Sequence, residues 1–111
     1  QQLRDFVYVK DCVAVMLWLA ANPGVSGLYN LGTGRARSFV DLVQAIGLAL
    51  GQAVRIEFVD MPMSIRPNYQ YFTEARMSKL AQAGYDAPFH SLEAGVADYV
   101  QGYLMQTDVY R

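Results

Sequence analysis

The chain has 111 residues, of which 53% are hydrophobic and 17% are charged, and its formal net charge is −1. This length suits one small domain, and the mixed, nearly balanced charge argues against the basic surface of a nucleic-acid binder. The charged fraction is low for a small domain that stands alone, so we expect part of its apolar surface to be covered by something else. The first residue is Gln1 rather than Met, which indicates a cut or processed start.

Cysteine usage and hydropathy bear on the compartment. Cys12 is the only cysteine, so no intramolecular disulfide can form and no cysteine-based metal site is expected. The longest apolar run, residues 13–21, is too short to span a bilayer and lacks the basic flank of a signal peptide. His90 is the only histidine, and a lone histidine before a helix is most often a surface or capping residue. We expect a cytoplasmic protein with no membrane segment and no metal site.

Hydrophobic patterning predicts alternating strands and helices in the first half of the chain. Residues 3–9 are rich in β-branched and aromatic side chains and predict a strand. A helix capped by Asp11 should follow and stop at Asn22-Pro23-Gly24. Residues 25–31 predict a second strand, which ends in the sharp turn at residues 32–34.

The next predicted element is a helix that starts at Ser38, where Asp41 completes a weaker form of the capping box. Gly51 is a suitable terminator. Apolar side chains at helical spacing predict one buried stripe on this helix, formed by Phe39, Leu42, Val43, Ile46 and Leu50.

Three further elements complete the predicted order. Alternation at Val54, Ile56 and Phe58 predicts a half-exposed strand, and residues 60–70 predict a long loop of the kind that is often functional. Thr73 should cap a third helix that ends at Gly84, and Ser91 a fourth. The resulting order, β-α-β-α-β-loop-α-α, indicates an α/β fold.

The chain lacks the usual cofactor and catalytic patterns. Gly32-x-Gly34 is followed by Arg37 where a dinucleotide-binding fingerprint needs its third glycine. Neither Lys10 nor Lys79 has a tyrosine four residues before it, so there is no Tyr-x-x-x-Lys pair. We therefore expect no bound nicotinamide cofactor and no complete catalytic site in this chain by itself.

Two segments in succession resemble a known family. Arg4-Asp5-Phe6-Val7-Tyr8-Val9-Lys10-Asp11 is similar to an Arg-Asp-Phe-(Val/Ile)-(Tyr/His)-Val-x-Asp segment of the extended short-chain dehydrogenase/reductases, the NAD-dependent epimerase and dehydratase family. Tyr29-Asn30-Leu31-Gly32-Thr33-Gly34 is similar to the (Tyr/Phe)-Asn-(Leu/Ile)-Gly-x-Gly strand end of that family. The resemblance implies that residues 1–111 form the C-terminal, substrate-binding part of a Rossmann-like enzyme, with its N-terminal cofactor-binding part and catalytic residues upstream.

A third set of segments narrows the resemblance. Residues 69–73, 78–80 and 83–86, with the run from Asn30 to Phe39, resemble members that epimerise C6 of the heptose in an ADP-heptose, a precursor of the lipopolysaccharide core. This implies transient oxidation of an ADP-sugar with bound NADP or NAD, and a homo-oligomer. Two alternatives remain: part of another nucleotide-sugar epimerase or dehydratase, or a non-catalytic binding module.

The resemblance assigns substrate contacts to Arg4 and Tyr69, and Arg66 could add positive charge to the same site. A guanidinium can bind a pair of phosphate oxygens, and a phenol can donate to a phosphate or sugar oxygen. Each residue also has a structural alternative. Arg4 could pair with Asp5 or Asp11, Tyr69 could cover the core, and Arg66 could be a solvated loop residue.

Other polar and aromatic residues are expected to be structural. Asp5 suits a turn, and Arg35 and Arg37, which follow the glycine turn, suit the surface or an interface. Tyr99 and Tyr103 are four residues apart on a predicted helix, a spacing that is more typical of a core stripe than of a stacking site.

Overall fold

The computed structural model describes residues 2–57 and 72–107. These residues form several helices and one small antiparallel sheet of two strands, β1 and β2. In chain order the elements are β1 Leu3–Arg4, α1 Val9–Ala21, β2 Arg37–Ser38, α2 Phe39–Leu50, α3 Ser78–Ala83, α4 Leu92–Tyr99 and a π-helical turn, Val100–Leu104. The protein therefore mixes helix and sheet, with much less strand than its sequence predicts.

β1 is shorter than the strand expected over residues 3–9. It pairs with β2 through two residues, Leu3 opposite Ser38 and Arg4 opposite Arg37. The next residue, Asp5, turns its carboxylate towards the glycine turn. The extended segment therefore stops pairing after β1, and α1 already begins at Val9.

α1 begins two residues before Asp11, so the predicted Asp11 cap is wrong. Tyr8 occupies the N-cap position without a side-chain cap, and Asp11 lies in the first turn, where the helix dipole favours a negative charge. The Asp11 carboxylate instead accepts a hydrogen bond from the backbone N–H of His90 at 2.9 Å. The predicted end is confirmed, because Asn22 closes the helix and its side chain donates to a last-turn carbonyl at 2.7 Å.

Residues 25–31 do not form the second strand that their pattern predicts. Within residues 2–57 and 72–107, no strand pairs with them, and a strand needs a partner for its backbone groups. The side chains of Tyr29 and Leu31 nevertheless pack against the apolar core. The strand expected at Val54 and Ile56 is also absent from the residues described up to 57, and the loop predicted at 60–70 lies outside them.

α2 has the ends that its sequence predicts. Ser38 Oγ accepts a hydrogen bond from the Asp41 N–H at 3.0 Å, and Asp41 Oδ2 accepts one from the Ser38 N–H at 3.1 Å, which completes the capping box. Gly51 closes the helix in the left-handed conformation with φ 71°, as a glycine at this position does in many helices.

The fully buried residues of α2 are not those of the predicted stripe, and they do not share one face of the helix. Phe39 and Leu50 are both 39% exposed. The buried residues are small: Ala45, Gly47 and Ala49. A Cβ on Gly47 would lie only 1.9 Å from Val54 Cγ2. Small side chains fit these positions because α4 and the chain after α2 pack closely against the helix.

α3 is a short helix that Thr73 does not cap. It follows Met77, which makes no side-chain cap, while Thr73 lies beside β1 and donates its N–H to the Leu3 carbonyl at 3.0 Å. Pairing with β1 therefore replaces the predicted first turn. The predicted end is confirmed, since Gly84 closes α3 with φ 117°.

α4 starts as predicted, because Ser91 Oγ accepts a hydrogen bond from the Ala94 N–H at 3.1 Å. Gly95 is buried, and a Cβ there would lie 3.3 Å from the Tyr8 Cβ. Tyr99 is 47% exposed, and its ring centroid lies 6.2 Å from that of Tyr103. The two rings therefore contact each other partly in solvent, and the expected core stripe is wrong at Tyr99.

A small apolar core joins α1 to α3 and the loop after it. Its buried residues are Val15, Leu80 and Tyr85. Partly buried side chains surround them: Trp18, Leu19, Tyr29, Leu31, Met77 and Phe89. Among the helices of residues 2–57 and 72–107, none combines the length and the apolarity that crossing a membrane requires.

Candidate functional site

Asp5 is the centre of a junction between three chain segments. Its Oδ1 accepts hydrogen bonds from the Thr33 N–H at 2.9 Å and from the Thr33 hydroxyl. Its Oδ2 accepts from the N–H groups of Gly34 at 2.9 Å and Ala75 at 3.0 Å. Four bonds match the acceptor capacity of an ionised carboxylate. We call this region the Asp5 junction; it comprises residues 3–5, 32–38 and 72–75.

The hydrogen bonds at the junction stabilise the charge of Asp5. Burial alone would raise the pKa of Asp5, but the bonds from Thr33, Ala75 and Gly34 outweigh it and lower the pKa below the ordinary 3.8. Asp5 is therefore ionised at neutral pH, and its negative charge is part of the folded structure.

The junction requires a glycine at position 32, and a further hydrogen bond joins two of its segments. A Cβ on Gly32 would lie 2.6 Å from Asp5 Oδ2 and 2.7 Å from the Ala75 Cβ, so any larger residue would push the carboxylate or its neighbour away. The N–H of Ala36 donates to Glu74 Oε2 at 2.7 Å. The turn and the segment before α3 are thus joined at two points.

Arg4, the first predicted substrate contact, lies in this junction. Its backbone pairs with Arg37, and its side chain is half-buried. One guanidinium nitrogen, Nη1, donates to the Leu3 carbonyl at 3.0 Å, and Cζ lies 5.9 Å from the centroid of the Phe39 ring. At that distance a cation gains from the face of an aromatic ring. The ring and the strand together support the guanidinium beside the Asp5 bonds.

The other two predicted contacts, Tyr69 and Arg66, lie outside the described residues. The structure therefore places one of the three candidate substrate-binding residues, Arg4. The two carboxylates named as alternative partners of Arg4 each accept hydrogen bonds from other segments. Asp5 holds the junction, and Asp11 bonds to His90.

Arg37 belongs to a salt-bridge network that links β2 to α4. Its Nη1 and Nη2 lie 3.1 Å and 2.6 Å from the two carboxylate oxygens of Glu93, and its Nε lies 3.2 Å from Asp41 Oδ2. The bond to Glu93 raises the pKa of Arg37, and the same pair lowers the pKa of Glu93. Two carboxylates thus neutralise this guanidinium, which makes it a poor anion-binding group.

A second polar cluster lies where α1 begins. The Tyr8 hydroxyl donates to Asp98, and Lys10 Nζ donates to the same carboxylate at 2.8 Å. Burial and the bond to Asp98 raise the pKa of Tyr8 to about 12, so its phenol keeps its proton at neutral pH. His90 Nδ1 lies 2.7 Å from Asp11 Oδ1. Residues 8–11 are therefore bonded to α4 and to the residues just before it.

An apolar cavity of about 300 Å³ lies beside this cluster, between residues 6–9, α2 and the start of α4. Tyr8, His90, Ser91 and Tyr99 are the wall residues with polar side chains. The first three have hydrogen-bond partners in Asp98, Asp11 and the N–H of Ala94 respectively. Within residues 2–57 and 72–107, no group of three or more His, Cys, Asp and Glu side chains could hold a metal ion.

The turn at residues 32–34 does not fit a dinucleotide phosphate. A phosphate-binding turn directs free N–H groups at the anion, whereas the N–H groups of Thr33 and Gly34 donate to Asp5. Gly34 reaches this geometry with φ 78°. The chain's own carboxylate thus takes the bonds that a pyrophosphate would need, and we derive no cofactor chemistry from this turn.

Several curated proteins match this chain over nearly its whole length. It is 52% identical over 109 residues to the ADP-L-glycero-D-manno-heptose-6-epimerase of Nitratidesulfovibrio vulgaris (strain DP4). This alignment covers 98% of this chain and 34% of that protein. The match to the protein of the same name from Fusobacterium nucleatum is 48% over 116 residues, covering 99% of this chain and 35% of that protein. The chain is a relative of the ADP-L-glycero-D-manno-heptose-6-epimerases. No protein-family model matches it.

The chain spans about a third of the length of the epimerases that it matches. A third epimerase of this name, from Alkalilimnicola ehrlichii, is 44% identical over 100 residues, covering 90% of this chain and 31% of that protein. The resemblance to sugar-nucleotide epimerases is therefore confirmed along almost the entire sequence, while the larger part of each relative has no counterpart in it.

The epimerase resemblance led to Arg4 but not to the residues that organise the site. The sequence predicts a turn residue at Asp5 and a helix cap at Asp11, and the structure makes both of them acceptors for distant segments. The sequence contains one general signal, because glycines let another group approach the backbone closely, so Gly32-x-Gly34 indicates a close neighbour without identifying Asp5.

Proposed function

We propose that this chain is the C-terminal, substrate-binding part of an ADP-L-glycero-D-manno-heptose 6-epimerase, an enzyme that inverts C6 of the heptose in an ADP-heptose. The observation that carries the proposal is the 52% identity with one such epimerase over 98% of the chain. In this proposal NADP or NAD supplies the hydride chemistry from the part of the protein upstream of this chain. By itself the chain is inactive.

Arg4 is the proposed contact to the diphosphate of the ADP-sugar. A diphosphate concentrates negative charge, and a guanidinium offers a planar pair of donors to it. Arg4 lies on β1, and its Cζ is 5.9 Å from the centroid of the Phe39 ring, a distance at which the face of the ring stabilises a cation. Tyr69 and Arg66 are proposed to contribute to the same site.

The packing of α1 supports a larger parent protein. The helix buries Val15 at 2% exposure in the core, yet its opposite side is apolar as well. That side, which we call the outer face of α1, consists of Val9, Val13, Met16 and Leu17, each 46–66% exposed. After its polar first turn, with Lys10 and Asp11, the helix is apolar on opposite sides, which is typical of a helix in the interior of a larger protein. We propose that the upstream part covers this face in a Rossmann-like α/β enzyme of the cytoplasm that forms a homo-oligomer.

A chimaera tests the proposed function. The matching third of the Nitratidesulfovibrio vulgaris epimerase is replaced by this chain, and epimerisation of the ADP-heptose at C6 is followed by chromatography or NMR. We expect activity in the chimaera and none in the isolated chain. A chimaera that folds, binds its cofactor and does not turn over the ADP-heptose would contradict the proposed substrate.

Arg4→Ala in the same chimaera tests the site. A hydrogen bond to a charged group contributes about 1.5–3 kcal/mol, so kcat/KM should fall by about 10- to 100-fold. The loss should fall mainly on KM if Arg4 holds ground state and transition state equally, with cofactor occupancy unchanged. Tyr69→Phe should act in the same direction but less strongly. Arg55→Ala, at an exposed cation, is the control. An effect of Arg4→Ala within twofold would make Arg4 a structural residue.

A further inference from the structure

Resting on the proposed function, we propose that Asp5 is the positioning residue of the substrate site: its carboxylate fixes the turn at residues 32–34 and the Ala75 segment around β1, and thereby holds the Arg4 guanidinium where a diphosphate binds. Asp5 itself does not contact the ligand in this proposal. Its effect on binding passes through Arg4.

The hydrogen bonds on Asp5 come from several separate parts of the main chain. Both carboxylate oxygens are used, and three of the four donors are backbone N–H groups from segments 28 to 70 residues away in sequence. A side chain held by backbone donors from two separate segments cannot move without moving those segments. Asp5 therefore fixes relative positions of main chain, and it does more than satisfy one polar group.

The main-chain segments that Asp5 holds are in contact with Arg4. Arg4 immediately precedes Asp5, and its backbone pairs with Arg37, three residues after the anchored Gly34. The ring beneath its guanidinium belongs to Phe39, which follows the same strand. Release of the turn would therefore shift the strand opposite Arg4 and the ring that supports it.

The third step is electrostatic and gives the proposal its test. Asp5 is an anion beside a group that should bind an anion, so its charge alone disfavours the ligand. Asp5→Asn removes that charge and nearly conserves the shape. If Asp5 acts only as a nearby charge, this variant should bind a diphosphate more tightly. If Asp5 positions Arg4, the variant should bind more weakly despite the lost repulsion.

ADP is the probe, and the chimaera with its cofactor bound is the protein. The dissociation constant for ADP is measured by calorimetry for the parent chimaera, Arg4→Ala, Asp5→Asn and the double variant. We expect Asp5→Asn to weaken ADP binding about tenfold, and to have less than a twofold effect when Arg4 is already alanine, because residues that act as a unit are not additive. Asp98→Asn, which removes an equal charge that also accepts hydrogen bonds, should leave the ADP dissociation constant within twofold.

A charge-preserving variant makes a second, independent arm. In Gly32→Ala the new Cβ would lie 2.6 Å from Asp5 Oδ2 and 2.7 Å from the Ala75 Cβ, so the carboxylate or the Ala75 segment bonded to it must move while the charge of Asp5 remains. Positioning predicts weaker ADP binding in this variant as well, and in both variants the amide NMR signals of Thr33, Gly34 and Ala75 should shift together. Tighter ADP binding in Asp5→Asn, or full additivity with Arg4→Ala, would overturn the proposal.

The outcomes separate this proposal from the proposed function. ADP binding that depends on Asp5 through Arg4, in a chimaera that does not epimerise ADP-heptose, would contradict only the proposed reaction. Epimerisation with an ADP affinity that is insensitive to Asp5→Asn would contradict only the positioning role. A chimaera that binds no ADP would overturn the positioning role as well, because no anion site would exist for Asp5 to organise.

Discussion

The Asp5 junction and the outer face of α1 lie close together in sequence, yet they are completed in opposite ways. At the junction, both oxygens of a charged group are satisfied by donors from within the chain. On the outer face, apolar side chains at helical spacing face solvent, with Leu17 66% exposed and Met16 60% exposed. The chain therefore contains a polar site whose hydrogen bonds are satisfied and an apolar helix face that remains exposed.

This difference shows which properties belong to the chain and which require the rest of the protein. Hydrogen bonds at the junction are directional and local, so they form once the three segments meet. Apolar burial depends on the area that is covered, and nothing in the described residues covers this face. The hydrogen bonds around Asp5 are thus formed within the chain, whereas burial of the outer face depends on the packing proposed above for the upstream part.

The largest expected effect comes from a matched pair of valines on α1. Val15 is 2% exposed and Val13 is 46% exposed. Val15→Ala should lower the free energy of unfolding of the isolated chain by roughly 2 kcal/mol, through lost burial and a cavity. Val13→Ala should change it by less than about 0.5 kcal/mol, as exposed substitutions usually do. Urea denaturation followed by circular dichroism measures both.

The same pair sharpens the comparison when it is moved into the chimaera. There the upstream part should cover the outer face, so Val13→Ala should become destabilising while Val15→Ala keeps its effect. Equal, small effects of Val13→Ala in both proteins would mean that the outer face stays exposed, and the proposed docking of α1 would be wrong.

Acid should break the junction before it affects the α1 core. The folded pKa of Asp5 lies below its ordinary value, so folding favours the ionised form. This contribution is present above the unfolded pKa, near 4, and is lost as pH falls towards the lower folded pKa. Glu93, Asp41 and Asp98 are shifted in the same direction, so thermal stability should decline in steps below about pH 4.

Asp5→Asn separates the junction from the other carboxylates in that titration. The variant should be less stable than the parent at pH 7, and the difference should shrink as pH falls, because the parent loses the same charge by protonation. Melting temperatures between pH 7 and pH 2.5 measure it. A constant difference across that range would show that the charge of Asp5 contributes nothing to folding.

Local signals in the sequence predict local features of the fold well. The capping box at Ser38 and the glycine at 51 give the ends of α2, and Ser91 gives the start of α4. Each depends on neighbours within a few residues, so the sequence contains all of the information. The strand predicted at 25–31 fails for the opposite reason, since residues that favour an extended backbone cannot supply a partner strand.

The candidate site likewise has one residue that the sequence predicts and one whose role depends on distant segments. Arg4 follows from a family motif, and its chemistry follows from the residue type. The role of Asp5 depends on Ala75, 70 residues away, and no pattern around Asp5 encodes that contact. The predicted stripe of α2 is wrong at Phe39 and Leu50, which are both 39% exposed. Which positions of α2 are buried depends on distant segments that pack against it, including α4, and no local pattern specifies them.

The smallest expected effect on stability, and the most direct test of the outer face, comes from a charge placed on it. Leu17→Lys and Met16→Lys should each change the free energy of unfolding of the isolated chain by less than about 0.5 kcal/mol, since both positions are mostly exposed. Uncovered apolar surface promotes association, so the parent chain should self-associate at high concentration in sedimentation velocity, and the lysine variants should do so less. Ala14→Lys, on the same helix at an exposed position outside that stripe, is the control for added charge alone. If all three lysine variants sediment like the parent chain, the outer face is not the surface that drives association. The outer face would then not be an incomplete interface, in contrast to what is proposed here.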